Sequence, residues 1–145
     1  MSEFQHIPIT VEPESWDQVP VSPLVKAILQ ELMDMIVSLD ETGATNFIDI
    51  KSLPLMHNEI EQLKHILGKG EVEATVDALG PSRIAETSIP GVWWVTHLNA
   101  QEEVVSEFIE VTTLPEILLS QHEDLWNNVD LLKARMKEFG VEEDC

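Results

Sequence analysis

The chain has 145 residues, enough for one domain with a proper hydrophobic core that needs neither disulfides nor metal staples. Asp and Glu total 27 against 8 Lys and Arg, so the net charge is −19 at pH 7; such a surface repels nucleic acid and anionic lipid and favours basic partners. The single cysteine, Cys145, excludes an internal disulfide and any zinc site built on two or more thiolates.

The amino terminus shows neither a basic leader region nor the apolar stretch that follows one in a secretory signal, and no apolar run approaches the ~20 residues needed to span a bilayer. The sequence therefore reads as a soluble, cytoplasmic protein without a membrane association. Acidity of this degree also serves plain solubility, so charge alone names no partner.

Residues 1–21 read as a proline-rich acidic arm. Pro8, Pro13 and Pro20 prevent a helix and discourage a central strand, while Ile7, Ile9 and Val11 alternate and Trp16 is large for a free tail. The arm is expected to pack against the body. Ser22-Pro23 then starts a helix, with serine as cap and proline in the first turn. Leu24, Ile28, Leu32, Met35, Ile36 and Leu39 recur every three or four residues and make one apolar face, and Gly43 supplies the stop. Phe47, Ile48 and Ile50 suggest a short strand.

A second helix is predicted from Leu55 to Leu67, burying Met56, Ile60, Leu63 and Leu67 and ending at Gly68. His57, Glu61 and His65 lie one turn apart on another side. At 1.5 Å per residue the two histidines are ~12 Å apart, so a single ion cannot use both, and a solvated face is the reading adopted.

Four strands follow. Val72, Ala74, Val76 and Ala78 alternate with Glu71, Glu73, Thr75 and Asp77, a two-residue period with one wet face. Leu79-Gly80-Pro81-Ser82 turns the chain into a weaker strand, Arg83 to Ile89. Val92 to Leu98 and Val104 to Val111 come next, joined by Asn99-Ala100-Gln101-Glu102. Sequential strands on short turns imply an antiparallel meander. In the last two, Trp93 and Val95 oppose Val92, Trp94 and Leu98, so both faces are apolar and both should be covered. Helices would cover one; the arm, a second copy or a partner protein would cover the other.

After Pro115 a short helical turn precedes a last helix, Glu123 to Phe139, whose stripe Leu125, Val129, Leu132, Met136 and Phe139 is expected to be buried. Residues 22–140 thus form one α+β domain, a four- to five-stranded antiparallel meander packed against helices, and 141–145 an acidic tail.

No nucleophile stands beside a base, no metal-ligand spacing recurs, and Gly68-Lys69-Gly70 lacks the spacing of a phosphate loop. It reads as a helix cap and strand entry. The carboxylates Glu71, Glu73, Asp77, Glu86, Glu107 and Glu110 alternate as any half-exposed strand requires. An acid/base hydrolase would need a deep pocket holding Glu86 or Glu110. Arg83, the one basic residue of the meander, is expected to pair with one of these two. Trp93 and Trp94 place indoles on opposite faces, one in the core and the other a candidate binding anchor. The candidate partner-binding residues are accordingly Trp93, Trp94, Glu71, Glu86, His97 and Glu110, with no catalytic, cofactor or metal residue assigned.

The runs Leu67-Gly68-Lys69-Gly70-Glu71-Val72, Ala78-Leu79-Gly80, Glu86-Thr87, Gly91-Val92-Trp93-Trp94-Val95 and Glu110-Val111 before Pro115 resemble the HupH/HyaF hydrogenase expression proteins. The similarity runs from about Ile60 to Leu132. It implies a non-enzymatic accessory protein, an assembly chaperone or scaffold in maturation of [NiFe] uptake hydrogenase, whose partners are the iron–sulfur small subunit precursor and other maturation proteins. Familiar members are about twice as long and carry the domain in tandem, so a homodimer would restore the pairing. The competing reading is a carrier of iron, nickel or an iron–sulfur intermediate; one thiol and scattered histidines suit it poorly.

Overall fold

The computed structural model describes residues 13–142, so Ile7, Ile9, Val11 and Cys145 lie outside the described residues. Their contacts divide the chain after Pro115 into two compact units. In the first, a 3-10 turn at Trp16–Gln18 leads into α1 (Pro23–Thr42), β1 (Asn46–Asp49), α2 (His57–Leu67), β2 (Glu73–Asp77), β3 (Pro81–Glu86), β4 (Val92–Leu98) and β5 (Val104–Val111). The five strands form one antiparallel sheet in the order β1-β5-β4-β3-β2. The α+β meander read from the sequence is present, and the short strand at Phe47 joins it beside β5.

α1 starts and stops where its sequence signals place it, whereas α2 begins at His57 instead of Leu55 and leaves Met56, expected to be buried, as an exposed N-cap. Ser22 Oγ accepts from Val25 N–H at 3.2 Å and Pro23 fills the first turn, while Gly43 closes α1 at φ 74°. The same Ser22 hydroxyl donates to Glu59 Oε2 at 2.6 Å, and Glu59 Oε1 accepts from Met56 N–H at 2.9 Å. One carboxylate thereby ties the start of α1 to the start of α2. The Ser22 hydrogen bond and then the Met56 amide hold the Glu59 carboxyl below its usual pKa. The arm docks as well in its described part: Trp16 stacks on His65 with centroids 4.8 Å apart, and Gln62 Nε2 donates to Val19 O at 3.0 Å.

Register assigns every sheet side chain to a face. On the helix-covered face lie Ile48, Ile109, Trp94, Ala85 and Glu73 in one row, with Val92 and Val111 beside them. These pack with Val25, Ile28, Leu32, Leu63 and Leu67 into the main core. The opposite face carries the row Phe47, Glu110, Trp93 and Glu86, then Asp49, Phe108, Val95, Ile84 and Ala74. At its centre Trp93, Val95 and Ile84 are buried, as two apolar faces require, whereas Phe47 at the margin is 66% exposed.

The second unit holds a 3-10 turn (Glu116–Leu118), α3 (His122–Trp126) and α4 (Asn128–Glu138). It departs from the sequence reading twice. The single helix is broken at Asn127, where Asn127-Asn128 replaces good helix formers with side chains that compete for backbone bonds. The stripe is also not buried: Leu125, Val129, Leu132 and Phe139 are exposed and only Met136 is half-buried. Helical spacing marks which residues share a face. It does not say that the face is covered.

Candidate functional site

The Gly68-Lys69-Gly70 run is a structural hinge between α2 and β2. Gly68 caps α2 at φ 71°, its N–H donating to Lys64 O, and a Cβ there would meet Ser88 Oγ at 2.6 Å. Gly70 N–H donates to Glu86 O at 2.8 Å, and a Cβ at Gly70 would fall 2.5 Å from Thr87 O. Only glycine lets the two backbones approach this closely. The run therefore serves geometry, as the sequence reading held, and it walls a cavity.

That cavity, of about 340 Å³, opens beside the end of α2. Trp94, Leu67 and Ala85 give it an apolar floor, while Glu61, Lys64, Lys69, Glu73 and Glu86 contribute to its lining. The Trp94 indole N–H donates to Glu107 Oε2 at 2.9 Å, and Thr96 Oγ1 donates to the same oxygen at 3.2 Å. Lys64 Nζ stands 3.5 Å from that oxygen, 3.6 Å from Glu61 Oε1 and 5.2 Å from the centre of the Trp94 ring. Lys69 Nζ lies 3.7 Å from Glu73 Oε2. The rim lysines thus face carboxylates, and the indole is held by Glu107 on its N–H and Lys64 over its ring, with Thr96 fixing the Glu107 carboxylate. A rigid aromatic floor under a charged rim is the chemistry of a binding pocket for a side chain or a short segment.

The six candidate residues do not converge. Trp94 and Glu86 line the cavity. Glu71 is exposed in the run-in to β2. Trp93 and Glu110 belong to the opposite sheet face, where Glu86 and Glu110 flank Trp93 in register. His97 is on that face too, its Nδ1 2.6 Å from Ser82 Oγ and its ring 5.4 Å from that of Phe108.

Two expectations need correction. Neither tryptophan is surface-exposed: Trp93 is 4% and Trp94 8% accessible, because β4 is the central strand and both its faces are buried. Trp93 further commits its indole N–H to Thr112 O at 3.1 Å. Arg83 does not pair with Glu86 or Glu110, since register puts it opposite Thr96, on the other side of the sheet from both. Glu107, by contrast, stands in the sequence only as one strand carboxylate among several. Its place across β4 and β5 from Trp94 depends on register, which the sequence does not print.

Residues 24–139 match the family described as HupH hydrogenase expression protein, C-terminal conserved region, and the chain belongs to that family. It is 34% identical over 99 residues to the hydrogenase expression/formation protein HupH of Rhodobacter capsulatus, covering 68% of this chain and 36% of that protein. It is 28% identical over 114 residues to the hydrogenase expression/formation protein HoxQ of Cupriavidus necator, covering 79% of this chain and 40% of that one. The chain thus spans well under half the length of these relatives. A solved structure, the hydrogenase expression protein HupH from Thiobacillus denitrificans, superposes with a TM-score of 0.76 at 38% identity, covering 81% of this chain and 98% of that one.

Proposed function

We propose that this chain is a non-enzymatic assembly chaperone or scaffold in the maturation of a [NiFe] uptake hydrogenase, acting on the iron–sulfur small subunit precursor. The observation that carries this reading is the family match over residues 24–139, joined to relatives that are named hydrogenase expression/formation proteins. The net charge of −19 supports engagement of a basic region of the immature subunit. Among the described residues the side chains around the cavity are already arranged in ion pairs and hydrogen bonds, a setting suited to holding a segment.

The test is deletion of the gene in a hydrogenase-expressing strain, followed by immunoblotting of the small subunit. The reading expects unprocessed precursor to accumulate and hydrogenase activity to fall, with both restored by the gene in trans. Normal processing and normal activity in the deletion strain would reject it.

A further inference from the structure

Among the described residues no strand pairs with the outer edge of β2, which lies beside the cavity. β2 is the end strand of the sheet; its residues 73–77 contain neither proline nor lysine, and the charges that guard it, Glu73 and Asp77, are both acidic. Glu86 N–H donates to Val72 O at 2.8 Å, which sets the hydrogen-bond parity of the pair. Ala74 and Val76 then bond inward to β3, while Glu73, Thr75 and Asp77 turn their N–H and C=O groups away from the sheet. The same three residues put their side chains on the cavity face, in the row that runs from Glu73 through Ala85 to Trp94. A strand added to this edge would therefore aim alternate side chains toward the cavity.

Charge names the occupant. Glu71, Glu73 and Asp77 are exposed along the edge, and Lys69 opposes only one of them, Glu73. We infer that the β2 edge binds an extended segment of a partner polypeptide by strand addition, an apolar side chain entering the Trp94 cavity between lysine or arginine residues that face the β2 carboxylates. Backbone pairing supplies affinity and the alternate side chains supply choice, the usual division in this mode of recognition. A volume of about 340 Å³ is ample for one large side chain. The partner's identity rests on the maturation reading; the site does not.

The experiment is a heteronuclear NMR titration of the full chain with the synthetic peptide acetyl-Arg-Thr-Leu-Thr-Arg-amide. Shifts should centre on the amides of Glu73, Thr75 and Asp77 and on the Trp94 indole N–H. The peptide N-methylated at its central leucine should bind at least several-fold more weakly. The charge-reversed peptide acetyl-Glu-Thr-Leu-Thr-Glu-amide should leave the spectrum unchanged. Glu73→Lys, an exposed substitution, should weaken the first peptide about five-fold, the effect of reversing one cross-strand charge pair. Shifts centred on Phe47 and β1, absence of shifts at β2, or equal binding of the N-methylated peptide would overturn the inference. Small-subunit capture separates the two readings. Equal capture by wild type and Glu73→Lys removes the edge proposal and leaves the maturation role standing, whereas a peptide that binds as expected without any capture removes the role and leaves the site.

Discussion

Trp94 donates its indole N–H to Glu107 across the β4–β5 pair, at 2.9 Å. The bond fixes a mostly buried carboxylate beneath a mostly buried ring, with Thr96 and Lys64 on the same oxygen. Glu107→Ala should leave the Trp94 and Thr96 donors without their shared acceptor and Lys64 with Glu61 as its remaining carboxylate. A loss of about 1–3 kcal/mol is expected, read as a lower urea midpoint. Unchanged stability would mean that the cluster is not formed.

The Ser22–Glu59 link makes a pH-dependent prediction. The folded pKa of Glu59 is lowered, so the unfolded chain binds the proton more tightly. The stabilisation is therefore present above the ordinary carboxylate range and is lost as pH falls through the folded value. Wild type should unfold at higher urea than Glu59→Gln near neutral pH, and the two should converge in acid. A gap that persists at low pH would contradict the assignment.

Close approach at the hinge can be separated from backbone conformation. Gly43 and Gly68 share a positive φ, but a Cβ at Gly43 meets nothing within 4 Å, whereas one at Gly68 strikes Ser88. Gly43→Ala should cost about 1 kcal/mol, the conformational penalty alone. Gly68→Ala and Gly70→Ala should cost more, and Gly70→Ala should also weaken peptide binding at the cavity. Thermal melts of the three variants decide the order.

Core and terminal helix should respond differently to the same loss. Ile109 is fully buried and Leu132 is 62% exposed. Ile109→Ala is expected to cost about 2–5 kcal/mol, and Leu132→Ala to change stability within about 0.5 kcal/mol. Equal losses would show that the stripe of α4 is covered in solution.

Much of the fold was legible because several local signals agreed. Ser22-Pro23, Gly43 and Gly68 bracket the helices, and the alternation in β2 and β4 gives the sheet its faces. Trp93 and Trp94 were placed correctly on opposite sides. What failed was burial, since a period of three and four defines a stripe at Leu125 to Phe139 whether or not anything covers it. Register was out of reach too: it sets Glu107 under Trp94 and takes Arg83 away from Glu86, through pairings about ten residues apart along the chain. The cavity is built from α2, the hinge and three strands, so no single stretch announces it.

The most direct measurement is affinity purification of the tagged full chain from hydrogenase-expressing cells at low ionic strength, with mass spectrometry of what is retained. The account predicts recovery of the unprocessed hydrogenase small subunit, diminishing as salt is raised. A folded chain that retains none of this precursor at any salt concentration would contradict it.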